Sequence, residues 1–284
     1  MSVLSIQSHV TYGSVGNSAA IYPLQALGHD VHPVHTVQFS NHTEYKRYGG
    51  SVSDSNVIRD ILNAFYLNQF HLECKGAVSG YMGTSGICEV WMEFMQKIHT
   101  DSKGGRLLYL CDPVIGDKSS GIYVESGVVS FFKEHLFDLQ PNIITPNLFE
   151  AELLSGIKYR CYDDLKEICA YFHDNGINEV VVTSVENVDS DNSIKGNCIS
   201  IAGSGEVLVK YTDVPCAVEF KGTGDLFAAL YLGYCINKEE SEDLSARASV
   251  LSDVTRLVRD VVEYSVQAGK RELCILNVGR QICE

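Results

Sequence analysis

The run Gly222-Thr223-Gly224-Asp225, followed at once by the apolar stretch 226–232, carries the residue types and spacing that point most directly to chemistry. Two glycines let the backbone turn tightly and expose its N–H groups. The apolar stretch reads as a buried helix, which puts those amides at a helix N-terminus. Orphan amides and the positive end of the helix dipole together make an anion site. A carboxylate at Asp225 would repel an anion that was merely held there. It makes sense if an alcohol must approach, surrender a proton and receive a phosphoryl group whose charge the amides absorb. An Asp that caps a helix after a glycine turn is a common alternative, and these four residues leave both readings open.

Other oxygen-bearing side chains have spacings that suit a divalent cation. Asp112-Pro113 ends an apolar strand pattern, with Gly116-Asp117 close behind. A carboxylate at the end of a parallel strand can hold Mg²⁺ directly or through water. Asn147 and Glu150 stand three apart at a helix start and so face the same way. They can organise Mg²⁺ and its waters beside a triphosphate, or simply cap the helix. Hard oxygen donors disfavour zinc. The stretch 13–17 opens a helix like a phosphate loop but lacks the Walker lysine. GxGxxG fails because Phe227 takes the third glycine's place, and GxSxG is absent. Neither a P-loop NTPase, a Rossmann dehydrogenase nor a serine hydrolase is supported. His9 and His42, in loop-like segments, suit base catalysis or a structural role.

These residues need elements to position them. Strand patterns fall at 3–6, 31–37, 76–79, 107–111, 142–145 and 179–183, and helical patterns at 18–27, 56–67, 87–99, 128–135, 148–154 and 165–173. Such alternation implies βαβ units and a largely parallel sheet covered by helices on both faces. Segments 197–201 and 206–211, joined by Ala-Gly-Ser-Gly, predict an antiparallel hairpin at the sheet edge. Two helices follow, one from Thr223 and a long one over 246–267, and the polar stretch 187–195 reads as a surface loop. With neither repeats nor a linker, residues 1–284 are expected to form a single domain. Ligands in such sheets lie beyond the carboxyl ends of the strands, which gathers the polar strand ends near Asp225.

Bulk properties narrow the partners. A net charge of −14 repels nucleic acid and anionic membrane, so a phosphate site has to be built locally. No apolar run approaches the length of a membrane span, and the first residues lack the basic and apolar regions of a signal peptide. Ten cysteines are scattered without framework spacing or a CxxC pair, which suits free thiols in a reduced, cytoplasmic compartment.

Longer blocks are more specific still. Residues 5–10 (SIQSHV), 16–20 (GNSAA), 36–43 (TVQFSNHT), 80–81 (GY), 111–117 (CDPVIGD), 144–154 (ITPNLFEAELL) and 222–229 (GTGDLFAA) span nearly the whole chain. Through them the sequence resembles the pyridoxal kinases of the ribokinase-like superfamily, in their eukaryotic form. The QSHV and VQFSNHT blocks separate these from sugar and nucleoside kinases. The resemblance implies a ribokinase-like α/β fold with a short active-site flap, acting as a homodimer. It implies phosphorylation of the 5′-hydroxyl of pyridoxal, pyridoxine and pyridoxamine by ATP. Asp225 would be the base, and the Gly222 and Gly224 amides the anion hole. Ser8 and Thr43 would bond the pyridine's substituents, and Val37, Phe39 and Tyr81 would sandwich its ring. Asp112, Asp117, Asn147 and Glu150 would manage Mg²⁺ and phosphate. Thr145 and Thr183 would serve a monovalent cation, K⁺ or Na⁺. Thr183, Ser184, Thr223 and Gly224 would touch phosphates, and Tyr123 would lie on the flap over ATP. Lys221 departs from the family pattern; it could touch a phosphate, but reads rather as a solvated side chain. Two alternatives stand: a hydroxymethylpyrimidine kinase of the same fold, and a non-catalytic vitamin-binding relative.

Overall fold

Short apolar strands, most of them buried on both faces, build one nine-stranded sheet among the residues that the computed structural model describes, 1–101, 107–191, 193–216, 219–238 and 243–283. Strand β1 (Ser2–Val10) leads through helix α1 (Asn17–Ala26) to β2 (Asp30–Phe39), and β3 (Gly50–Val52), α2 (Ser55–Leu67) and β4 (Cys74–Ser79) follow. Helix α3 (Ser85–Thr100) and β5 (Leu108–Cys111) come next, then a small ribbon of β6 (Gly116–Asp117) and β7 (Gly121–Ile122). The chain continues as α4 (Ser126–His135), β8 (Ile143–Ile144), α5 (Leu148–Ser155), α6 (Tyr162–Asp174) and β9 (Glu179–Val185). A hairpin of β10 (Ile194–Ile201) and β11 (Gly205–Thr212) precedes α7 (Thr223–Asn237), α8 (Leu244–Gln267) and α9 (Asn277–Cys283).

Across the sheet the order is β3-β2-β1-β4-β5-β8-β9-β10-β11. The six strands from β2 to β9 run parallel, whereas β3 on one edge and β10 and β11 on the other are antiparallel. Successive strand residues alternate between two helical layers. Leu4, Ile6, Ala77, Tyr109, Cys111, Ile144, Val180 and Val182 pack among α2–α6, while Val3, Val78, Leu110, Ile143 and Val181 pack among α1 and α7–α9. A one-residue slip would move every side chain into the wrong layer, so burial on both faces fixes the register. The strand order reverses between β1 and β4, the switch point at which α/β sheets bind ligands.

The mostly parallel sheet, the two helical layers and the edge hairpin agree with the sequence expectation. Differences lie at the margins. The strand expected over 142–145 shrinks to Ile143–Ile144. β3, the β6–β7 ribbon and α9 were not anticipated, because two or three residues carry no periodicity and α9 has a glycine at its middle. The expected loop 187–195 already pairs with β11 from Ile194 onward, and its Asn192 lies outside the described residues. Among the described residues no helix is long and apolar enough to cross a membrane.

Candidate active site

Helix α7 is apolar on every side, and Leu226–Gly233 are all buried between the sheet and the helices around it. A Cβ on Gly76 would lie 2.6 Å from Ile236, near the far end of α7, whereas one on Gly224 would lie 3.9 Å from Asp112 Oδ2. The helix therefore runs against the strands, with its N-terminus at their carboxyl ends. Gly222 caps it at φ 89°, and any side chain there would strike the Ser14 carbonyl. Both the left-handed backbone and the lack of space demand glycine. Gly16, at φ 53°, is wedged in the same way against the backbone and hydroxyl of Ser8. Its amide is near enough to the Asp225 carboxylate to favour the anion. The loop after β1 thus does two things. It seats the turn that opens α7 and aims the carboxylate of its first turn.

Facing this turn is a row of side chains set by a backbone ladder that continues past the strand ends. The Asp112 amide donates to Ser79 O (2.9 Å), that of Thr145 to Cys111 O (3.1 Å) and that of Thr183 to Pro146 O (2.9 Å). Between row and helix lies a cavity of about 800 Å³, within the range of small-ligand sites. Its walls include Gly222, Thr223, Gly224 and Asp225 on α7, and Asp112, Thr145, Asn147, Glu150, Thr183 and Ser184 along the sheet edge. Asp117 and Tyr123 of the ribbon segment close one side.

Several of these residues are held by the protein itself. Asn147 and Glu150 form a complete capping box on α5. Glu150 Oε2 accepts from the Asn147 amide (2.9 Å), while Oε1 accepts from the amides of Ile115 (2.8 Å) and Gly116 (3.2 Å). The Asn147 side-chain amide donates to Gly116 O (2.8 Å). The pair braces the segment that leads from Asp112 into the ribbon. Asp117 Oδ1 accepts from the Ser119 hydroxyl (2.7 Å) and the Ser120 amide (2.6 Å), which shapes the ribbon's turn. Burial opposes its ionisation, but those bonds and Lys221 outweigh it and hold the carboxyl below its ordinary range.

Charge at the cavity floor is unbalanced. Asp112, Glu150 and Asp225 crowd together, and among the described residues no Lys or Arg forms an ion pair with any of them. Burial pushes Asp112 well above the ordinary carboxylate range, and the charges of Glu150 and Asp225 push it further, against the pull of the Thr145 hydroxyl. Burial raises Asp225 against the Gly16 amide, and raises Glu150 against its three backbone donors. The residues fit a divalent cation that keeps much of its water. Among the described residues no three His, Cys, Asp or Glu side chains converge closely enough to cage a metal. Beside the repelled Asp112 carboxyl, the buried Thr145 hydroxyl lacks a hydrogen bond of good geometry. Mg²⁺ binds in just this manner, by one or two carboxylates, waters and substrate phosphates.

The residues expected to hold the vitamin fall elsewhere. Ser8, Val37, Phe39, Thr43 and Tyr81 lie on β1, on β2 and just past β2 and β4, outside the walls of this cavity. Ser8 packs against Gly16, where a Cβ would strike its hydroxyl. Tyr81 O accepts from the Thr36 hydroxyl (2.7 Å), Val37 is fully buried, and Phe39 packs on Tyr48 with ring centroids 5.3 Å apart. Thr43 is exposed on the loop between β2 and β3. Neither histidine reaches Asp225. His9 stacks on His35 and meets the Ser18 hydroxyl at 3.1 Å, and His42 Nε2 lies 3.3 Å from Glu272.

Lys221 is a correction. Sequence reading leaves it solvated, but its side chain is 17% exposed and its ammonium lies among Glu44, Asp117 and Glu219. Gly16 and Glu44 also escaped sequence reading. Gly16 falls in the stretch 13–17 and in the block 16–20, neither of which ties it to Asp225, and nothing local marks Glu44.

The model of the phosphomethylpyrimidine kinase family matches residues 31–271. A pyridoxal kinase of Corynebacterium diphtheriae is 34% identical over 97% of this chain and 93% of its own. One from Arabidopsis thaliana is 34% identical over 94% and 84%. The structure of a pyridoxal kinase from Leishmania donovani in complex with ADP and pyridoxamine superposes with a TM-score of 0.85, at 27% identity, over 100% of this chain and 96% of that one. On the sequence matches the chain belongs to the phosphomethylpyrimidine kinase family, grouped with its pyridoxal kinases.

Proposed function

We propose that this enzyme transfers the terminal phosphoryl group of ATP to the 5′-hydroxyl of pyridoxal, and of pyridoxine and pyridoxamine. One observation carries the reading. The Asp225 carboxylate, aimed by the Gly16 amide, stands in the first turn of a buried helix whose free amides open onto a cavity of triphosphate size. The alcohol's pKa lies far above that of any carboxyl, so Asp225 orients the hydroxyl and takes its proton late, as the new O–P bond forms and the bond to ADP breaks. A loose transition state asks no more of a base, and such a base contributes about 10²–10⁴-fold. The amides of Gly222–Gly224 stabilise the migrating charge, and positioning supplies much of the remainder.

Thr183, Ser184 and Thr223 are suited to the phosphates, with Tyr123 over the nucleotide. Bound Mg²⁺ supplies neutralisation of the triphosphate. Asp112 is the residue best placed to hold it, with Asp117, Asn147 and Glu150 shaping the segment beside it. Thr145 and Thr183 offer oxygens to K⁺ or Na⁺. Val37, Phe39 and Tyr81 supply the flat and branched walls a pyridine ring needs, and Ser8 and Thr43 the polar contacts. A cytoplasmic setting accords with the free thiols of the described cysteines, and one domain with the continuous sheet. A homodimer is proposed on the family resemblance, and light scattering reads it directly.

The test is ADP release, with pyridoxal and the hydroxymethylpyrimidine alcohol offered in parallel. Preference for pyridoxal supports the assignment. Preference for the pyrimidine alcohol marks a hydroxymethylpyrimidine kinase of the same fold, and vitamin binding without ADP release marks a non-catalytic relative.

A further inference from the structure

Three segments that are distant in sequence meet at one ammonium group. Lys221 Nζ lies 2.9 Å from Glu44 Oε1, 3.3 Å from Asp117 Oδ2 and 3.3 Å from Glu219 Oε1. The contact continues beyond the lysine. The Ser120 hydroxyl donates to Glu44 Oε1 (3.4 Å), and that of Ser119 to Glu219 Oε2 (3.0 Å). Glu44 follows Thr43 on the loop 40–49, Asp117 and the two serines form the ribbon's turn, and Lys221 immediately precedes Gly222. Three carboxylates this close repel one another, and one shared cation reverses the sign. The lysine is mostly shielded, with 17% of its side chain exposed, so solvent screens this attraction less than at an open surface.

We propose that Lys221 is a positioning residue that clasps the loop 40–49 to the β6–β7 ribbon across the mouth of the site, so that vitamin and nucleotide are gripped together. This rests on the reading above, in which Thr43 serves the vitamin and the ribbon covers the nucleotide. Its consequence is a coupling of affinities. A loop held by one substrate holds the lysine, and the lysine holds the other loop.

The test compares Lys221→Met, Lys221→Arg and Glu44→Gln with the parent enzyme, by steady-state kinetics and by amide hydrogen exchange without ligands. Lys221→Met is expected to raise KM for both ATP and pyridoxal about tenfold with kcat within about threefold, the pattern of lost binding and not of lost chemistry. Exchange should quicken in 41–46 and 116–121 together. Glu44→Gln should raise KM for pyridoxal more than for ATP and loosen 41–46 alone. Adding it to Lys221→Met should cost nothing further, because the pair acts as a unit. Lys221→Arg should recover part of both effects. The proposal is overturned if Lys221→Met moves only KM for ATP and leaves 41–46 protected. A kcat loss of 100-fold or more at unchanged KM also overturns it, since that marks a catalytic residue. Should the enzyme ignore pyridoxal altogether, the assigned function fails, while the exchange experiment still decides the clasp.

Discussion

Helix α7 carries a titratable residue toward each end of the sheet, and the two ends treat buried charge in opposite ways. Toward the amino ends of the strands, Tyr231 donates its hydroxyl to Glu179, whose other oxygen lies 3.4 Å from Arg247 Nε. That carboxylate is buried with its own cation and a neutral donor. Six residues earlier on the same helix, Asp225 faces Asp112 and Glu150, for which the described residues supply no such cation. Burying an ion is expensive unless it is paired. The fold meets that cost internally at one end. At the other it leaves negative charge that a metal ion, with the phosphates it carries, would neutralise. An imbalance of this kind marks a functional end of a sheet more firmly than cavity shape does.

Breaking each end should produce different symptoms. Asp225→Asn keeps the shape and removes the base, so kcat should fall about 10²–10⁴-fold with both KM values little changed. Undiminished turnover would remove Asp225 from the mechanism. Arg247→Met should instead remove the cation that lies beside the buried Glu179 carboxylate, costing about 3–5 kcal/mol in urea unfolding. At low temperature the folded enzyme should keep kcat within about twofold, since the site lies at the other end of the sheet. Adding Glu179→Leu should restore part of that stability, because it removes the buried charge but leaves the Tyr231 hydroxyl without its acceptor. If Arg247→Met is neutral by itself, the two ends are not opposites. ADP sharpens the contrast: at 100 times its dissociation constant a ligand adds about 2.7 kcal/mol. More stabilisation by ADP with Mg²⁺ than by ADP alone is the outcome that fits an uncompensated floor. Equal shifts would deny the metal a role there.

The glycine turn, the buried helix behind it and the polar strand ends were all legible in the sequence, because each is a local pattern with one physical reading. Strands β4, β5 and β9 could be placed because two-sided burial leaves each with an apolar run at its middle. What stayed hidden depends on segments that meet only in the fold. Gly16 aims Asp225 across some 200 residues of chain, and Lys221 looks solvated until Glu44 and the ribbon are brought beside it. Asn147 and Glu150 show the intermediate case. Their spacing fits both a capping box and a metal site, and only the structure reveals that both oxygens of Glu150 already hold backbone amides.

The smallest effect concerns pH, and its sign separates the two ends. Burial raises Asp112, Asp225 and Glu150, and for Asp112 the neighbouring carboxylates add to it. Each therefore keeps its proton to a higher pH in the folded enzyme than in the unfolded chain. Between the ordinary carboxylate range, near pH 4, and these raised values, the native state binds more protons than the unfolded one, so stability falls as pH rises. Ligand-free enzyme should then gain stability at this end as pH drops from about 7.5 toward 5.5. His29 and His35, both lowered by burial, work against the trend and lose stability as pH falls through the ordinary imidazole range. The informative quantity is thus the difference between the parent and Asp112→Asn. That variant should be more stable at pH 7.5 by about 1.4 kcal/mol for each pH unit of displacement it removes, with the gap closing toward pH 5.5. A gap that widened on acidification would mean that the carboxyl is stabilised as an anion in the fold, and the cavity floor would be as well compensated as the opposite end of the sheet.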